Sequence, residues 1–238
     1  EDTAPSRDFF TSEDIRKGFC YSFDYDSYIE NILDGWGKQP TGPIPEGLLG
    51  YDENGPQYNY DPSMAEQHFR DAGVWDTGFT ITAYYNLGND VRLNALLLLE
   101  NALEEMNSKF NVEVQGLEWP TYLDKLRANE LPLFFLGWAP DYADPHNYAH
   151  PFLHGEGHFA HYLGFQYDDI DQLIMDAASE SDKGTREDLY SQLAVVEHDK
   201  ALYIWSSQSI SYKIWRDWVH GWYHNMMHGT LFYTLSKS

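Results

Sequence analysis

The residues of this chain best placed to do chemistry lie in one stretch. Trp138, Asp141, Tyr142 and Asp144 are followed by His146, His150, His154, His158 and His161. Five histidines within sixteen residues could ligate a transition metal, and His146 and His150 stand one helical turn apart with Asp144 near. No HExxH-like motif or second fixed ligand set accompanies them, so they read as loop or surface histidines and no metal is assigned. A catalytic centre needs a nucleophile, a base and a stabiliser in mutual geometry. Glu113 and Glu118 could form an acid pair for glycoside hydrolysis, but nothing selects them over other carboxylates. There is no GxSxG, no P-loop and no GxGxxG after a strand, so no catalytic residue and no cofactor is assigned. Cys20, the single cysteine, sits in a helical pattern and reads as packed rather than reactive.

Composition narrows the function classes. Acidic residues outnumber basic ones by 38 to 15, for a formal charge of -23. Such a surface repels phosphate backbones and anionic lipid, which argues against nucleic acid as a partner. A hydrophobic fraction of 42% can bury a sizeable core. The most apolar runs, 95–99 and 131–137, fall well short of the roughly 20 residues a membrane helix needs. Glu1, Asp2, Arg7 and Asp8 occupy the place of a signal peptide's apolar core, so either the protein is cytoplasmic or the signal lies upstream. Aromatics are abundant, with 18 Tyr and 8 Trp, which suits a protein that encloses ligands and suits a well-packed core equally.

The elements that must position these residues follow from pattern. Ser12 caps a helix over 12–23, with Ile15, Phe19 and Phe23 on one face. Asp26 caps a second, burying Ile29, Ile32 and Leu33 and stopping at Gly35. A Gly/Pro-rich loop covers 37–60. Asp61-Pro62 opens a helix ending at Gly73. A strand over 79–85 precedes a helix over 90–106, with Val91, Ala95, Leu98, Leu99, Ala102 and Met106 on its apolar side. A short strand at 112–115, a helix at 120–128 and a buried strand at 133–138 follow. Helices at 168–178 and 185–201 precede strand-like segments at 202–205 and 209–214. Strands alternating with helices predict an α/β layer fold.

Six segments carry a family resemblance. They are Asp14-Ile15-Arg16-Lys17-Gly18-Phe19 with Tyr21-Ser22-Phe23-Asp24, the stretch 29–37, and Gly42-Pro43-Ile44-Pro45. Tyr60-Asp61-Pro62-Ser63-Met64-Ala65 with Ala72-Gly73, then 136–145 containing Gly137-Trp138 and Asp141-Tyr142, and the helix 187–201 complete the set. In this order they resemble the dipeptide- and oligopeptide-binding proteins of ABC importers, the extracellular solute-binding proteins of family 5. The resemblance implies an α/β fold that is the C-terminal lobe of a two-lobe periplasmic-binding-protein-like structure of the dipeptide-binding type (class II). It implies a ligand-binding lobe over 1–214 and a segment, 215–238, that returns to an N-terminal lobe not included here.

Function and site residues are also implied. The protein would capture a peptide or similar solute outside the cytoplasm, in the periplasm or on the outer face of the cell membrane, free or lipid-anchored, and deliver it to ABC permease subunits. Asp141 matches the carboxylate that pairs with a bound peptide's α-ammonium; the alternative is a turn aspartate, the role assigned to Asp144. Trp138, Tyr142 and Trp36 are either cleft wall or ordinary core, and Asn86 joins them as a ligand-binding candidate. The dipeptide-binding subgroup carries an arginine after the 79–85 strand that holds the peptide's terminal carboxylate; here none occurs before Arg92, which either serves in that role or, lying inside the helical pattern, is a surface residue, so longer peptides or a non-peptide ligand become more plausible. The alternatives are a nickel chelate, an oligosaccharide or another organic solute, and, in another class, a metal-dependent hydrolase built on 141–161.

Overall fold

The structure, a computed structural model, describes residues 8–225 and 229–238. Glu1, Asp2 and Arg7 of the signal-peptide argument lie outside the described residues. Helix α1 (Glu13–Ser22) begins as the sequence predicts, with the Ser12 hydroxyl accepting from Ile15 N. It buries Ile15, Phe19 and Cys20. Gly18 lets it approach the helix below, because a Cβ there would stand 2.5 Å from the Phe69 ring. The second helix differs from expectation. Asp24, not Asp26, is the cap, accepting from Ser27 N. One turn, α2 (Tyr25–Ser27), then widens into a π-helical stretch, Tyr28–Ile32, before the stop at Gly35 (φ 76°). The widening turns Tyr25 and Tyr28 inward and leaves Ile29, Ile32 and Leu33 half-buried.

Within the Gly/Pro loop, β1 (Gly37–Lys38) pairs antiparallel with β5 (Gln208–Ser209). Helix α3 (Pro62–Asp71) opens on Asp61, whose carboxylate accepts from Ser63 N and Met64 N. The central sheet has the order β3-β2-β4, all parallel. Strand β2 (Phe79–Asn86) pairs along its length with β3 (Phe110–Leu117), and the crossover between them is α4 (Asp90–Met106). Helix α4 buries Ala95, Leu96, Leu99 and Leu103, while Val91 is exposed. Four consecutive leucines, 96–99, blur the helical period, so the choice of face fell to packing against the sheet.

Helix α5 (Trp119–Arg127) leads to β4 (Leu133–Phe134), which is two residues long and half-buried rather than a buried strand over 133–138. Phe135 N still donates to Tyr84 O, after which the chain leaves the sheet. The Arg92 guanidinium occupies the space beside it, and a Cβ at Gly137 would stand 3.2 Å from Arg92 Nη2.

The histidine-rich stretch folds into α6 (His146–Leu153) and α7 (His158–Leu163). Then come α8 (Asp168–Ser179) and α9 (Lys183–Lys200), the latter capped by Asp182. The expected strands after α9 reduce to β5. One core gathers Phe19, Phe69, Phe79 and Phe110 between α1, α3, α4 and the sheet. A second joins α6, α8 and α9 through Leu153, Ile170, Ile174 and Leu193. A short antiparallel pair, β6 (Val219–His220) with β7 (Ser236–Lys237), ends the chain. Its surroundings are open: Ile214 is 84% exposed and Phe232 80%.

Candidate functional site

The described residues enclose a concave cavity of about 1860 Å³. It lies where the carboxyl ends of β2 and β4 meet the segments around α6, α7 and the chain after α9. Crevices beyond the carboxyl ends of parallel strands are where α/β sheets bind ligands, because the crossover loops diverge there.

One wall is aromatic. Trp138, just past β4, donates its indole N–H to Asn147 O at 2.9 Å and meets Phe159 and Phe152 edge-on, with centroids at 5.4 and 6.2 Å. Phe152 on α6 stacks on Phe159 of α7 at 4.6 Å. Tyr203 and Trp205 complete the wall from the extended segment after α9, where alternate residues face one side. Their rings are 4.9 Å apart, and Tyr203 OH donates to Phe152 O at 2.6 Å.

Away from that wall the lining is polar at one point. Arg92, in the first turn of α4, donates Nη1 to Asn86 Oδ1 at 2.7 Å and lines the cavity with Tyr84 and Phe134. Burial depresses its pKa, and among the described residues no carboxylate pairs with it. Most of its five N–H donors are therefore available to a ligand oxygen.

The candidates named from sequence are dispersed. Trp138 lines the cavity. Asp141 and Tyr142 are exposed beside it, between the lining residues Pro140 and Ala143. Asp141 N donates to Asn147 Oδ1 at 2.7 Å, which fixes the turn, and its carboxylate has no hydrogen-bond partner among the described residues. Tyr142 OH sits 3.3 Å from His146 Nδ1. Trp36 is 47% exposed and packs on Tyr212 at 4.3 Å, outside the lining residues. Asn86 serves by holding Arg92.

Asp144 is the turn residue expected, accepting from His146 N, and it also takes both carboxylate oxygens to Arg186 Nη2 at 2.9 Å. His146 and His150 on α6 and His154 at its C-cap form a ladder, with centroids 5.1 and 4.6 Å apart. Burial lowers the pKa of His146 and His150 and favours their neutral forms. Among the described residues no group of three or more His, Cys, Asp or Glu is placed to hold a metal ion. Glu113 and Glu118 are exposed.

Sequence reasoning missed Phe152, Phe159, Tyr203 and Trp205. The alternation Tyr203–Trp205 was visible, while the two phenylalanines were hidden by the histidines around them.

Residues 3–159 match the family model of bacterial extracellular solute-binding proteins, family 5 (middle region). The chain belongs to this family. Its relatives include the probable D,D-dipeptide-binding periplasmic protein of Escherichia coli, 27% identical over 82% of this chain and 37% of that protein. The family 5 chain thus spans well under half the length of that curated relative. Among solved structures, HbpA2 from Haemophilus parasuis superposes with a TM-score of 0.84 at 22% identity, covering 96% of this chain and 45% of that one. The periplasmic binding protein DppA from Helicobacter pylori, in complex with the peptide STSA, gives 0.80 at 22% identity, covering 96% and 44%. These likenesses give the family 5 chain the α/β fold of periplasmic binding proteins. Among the described residues no helix is long and apolar enough to cross a membrane.

Proposed function

We propose that this chain is the ligand-binding C-terminal lobe of an extracytoplasmic solute-binding protein, capturing a peptide or similar small solute for an ABC permease without turning it over. The observation that carries the reading is the cavity itself, with an aromatic wall and an ion-unpaired, half-buried Arg92 facing the same space. Aromatic surfaces pack on ligand backbones and side chains at low entropic cost, and a partly desolvated guanidinium favours a carboxylate. Arg92 is thus the candidate partner for a peptide's carboxylate, and Asp141, beside the cavity with its carboxylate free, for the ammonium at the other end.

A second lobe supplies the facing wall in this reading. Residues 1–214 form the ligand-binding lobe and 215–238 pack against its partner. The exposure of Ile214, Phe232 and Tyr233 supports that boundary, because large exposed apolar patches are rare on monomers and mark contact surfaces. Closure of two lobes would bury the ligand and signal docking.

Calorimetry with di-, tri- and pentapeptides on the whole protein tests the reading. Asp141→Asn and N-acetylation of the peptide should each cost roughly 2–5 kcal/mol of binding, and together less than their sum. Unchanged peptide binding in both Asp141→Asn and Arg92→Met would overturn the assignment of these residues, and hydrolysis of the bound peptide would overturn the binding-only reading.

A further inference from the structure

The polar groups of the aromatic wall are already engaged within the protein. Trp138 gives its indole N–H to Asn147 O, and Tyr203 gives its hydroxyl proton to Phe152 O. The Trp205 indole nitrogen is buried. The half-buried rings of Trp138, Phe152, Tyr203 and Trp205 therefore offer the cavity carbon surface and no hydrogen bond. A polar group set against them would lose water and gain no partner. A flat apolar ring would gain contact.

The cations of the cavity differ in what they have left to give. Two line it among the described residues, Arg16 and Arg92. Arg16 is occupied: its nitrogens donate to the carbonyls of Lys200, Phe10 and Thr11 and to Tyr167 OH. Arg92 makes one side-chain bond among the described residues, from Nη1 to Asn86 Oδ1. Its other terminal nitrogen, Nη2, lies against Gly137, where a Cβ would stand 3.2 Å away. The next residue in the chain is Trp138, the first ring of the wall. Neighbouring Cα atoms are about 3.8 Å apart, which puts a free N–H donor and the wall within the reach of a single amino-acid residue.

We propose that the cavity selects its ligand by the group next to the carboxylate: the carboxylate meets Arg92, and a bulky aromatic substituent beside it lies on the wall at Trp138. For a peptide this is a preference for an aromatic C-terminal residue. An alanine there leaves the rings in water, and a glutamine buries an amide that nothing on the wall can satisfy. The proposal rests on the ligand-binding reading above and adds the class of ligand to it.

Calorimetry on the whole protein with Ala-Ala-Phe, Phe-Ala-Ala, Ala-Ala-Gln and Ala-Ala-Ala tests it. Ala-Ala-Phe should bind about tenfold tighter than Ala-Ala-Ala, the lower end of what burying a phenylalanine side chain supplies. Phe-Ala-Ala and Ala-Ala-Gln should gain little. Amidating the carboxyl end of Ala-Ala-Phe should weaken it, and Arg92→Met should weaken it and make it insensitive to amidation. Trp138→Leu, checked for folding by circular dichroism, should shrink the ratio between Ala-Ala-Phe and Ala-Ala-Ala. A second arm uses N-acetylphenylalanine and its amide, which carry the same chemistry without a peptide chain. The acid should bind, followed by tryptophan fluorescence, and the amide should not. Tripeptides that bind with no preference for a C-terminal phenylalanine, or that favour Phe-Ala-Ala equally, overturn the proposal and leave the peptide reading standing. Binding of N-acetylphenylalanine but of no tripeptide supports the proposal and tells against the peptide reading. Binding of neither overturns both.

Discussion

Replacing Arg186 by methionine should expose how the rim of the cavity is held. Arg186 sits in the first turns of α9 and reaches to Asp144, the residue before Pro145 and α6, with both carboxylate oxygens 2.9 Å from Nη2. Its Nε donates to Ala177 O at the end of α8, and its guanidinium lies 5.1 Å from the centre of the Tyr190 ring. One side chain therefore ties α8, α9 and the turn that carries Asp141. The pair is neither exposed nor dry, with side chains 21% and 30% accessible. Exposed pairs are worth roughly 0–1 kcal/mol and breaking a buried one costs roughly 3–5, so Arg186→Met should cost about 2 kcal/mol at pH 7. Burial pushes the Asp144 carboxyl up, but the Arg186 and His146 N–H donors and the Arg186 charge outweigh it and hold its pKa below the usual aspartate value of about 3.8. A depressed folded pKa gives stability that is complete above the unfolded pKa and lost as pH falls through the folded one. The gap between wild type and Arg186→Met should therefore be full at pH 7 and narrow below about pH 3.8. Urea denaturation at pH 7 and pH 3 measures both. With Asp144→Asn as the second corner of a double-mutant cycle, the coupling should make up most of the loss. A variant within about 0.5 kcal/mol of wild type at pH 7, or a gap that does not close in acid, would refute the reasoning.

Glu197→Gln should stabilise the protein increasingly relative to wild type as pH rises, because burial raises the folded pKa to about 8 from the ordinary 4.5: wild-type stability, at most about 5 kcal/mol from this group, is complete below pH 4.5 and lost up to pH 8. Parallel denaturation curves at pH 5 and 8 check this, and a constant difference between the two proteins would sink it. Cys20, buried with its thiol pKa pushed up, should resist iodoacetamide at pH 8 in the native protein and react readily in urea; equal rates would contradict its burial. Gly18→Ala should cost about 1–3 kcal/mol by driving a methyl into the fully buried Phe69 ring, measured as a fall in denaturation midpoint; a neutral result would mean α1 and α3 can part without penalty.

Much of the frame was legible in the chain because it rests on local chemistry. Ser12, Asp61 with Pro62, and the 90–106 periodicity gave helix positions within a residue or so, since a cap needs only a short polar side chain and a free N–H. The strand 79–85 and the alternation of strands with helices gave the α/β class. The order of six motifs gave the family, now supported by the match over 3–159. Tertiary structure decided the rest. Asp24 displaced Asp26 as a cap because Tyr25 and Tyr28 both had to reach the core, and a stretch of four leucines let packing choose the face of α4. The strand expected at 133–138 shortened to Leu133–Phe134, the chain leaving the sheet after Phe135 N donates to Tyr84 O. The aromatic wall joins residues 138, 152, 159, 203 and 205; alternation links only 203 with 205, and the rest meet only when α6, α7 and the return from α9 close on one another. Glu197 reads in the chain as one polar residue on a helix; only the chain doubling back at Ala201 buries it, and burial gives a carboxyl group a pKa that its own chemistry does not.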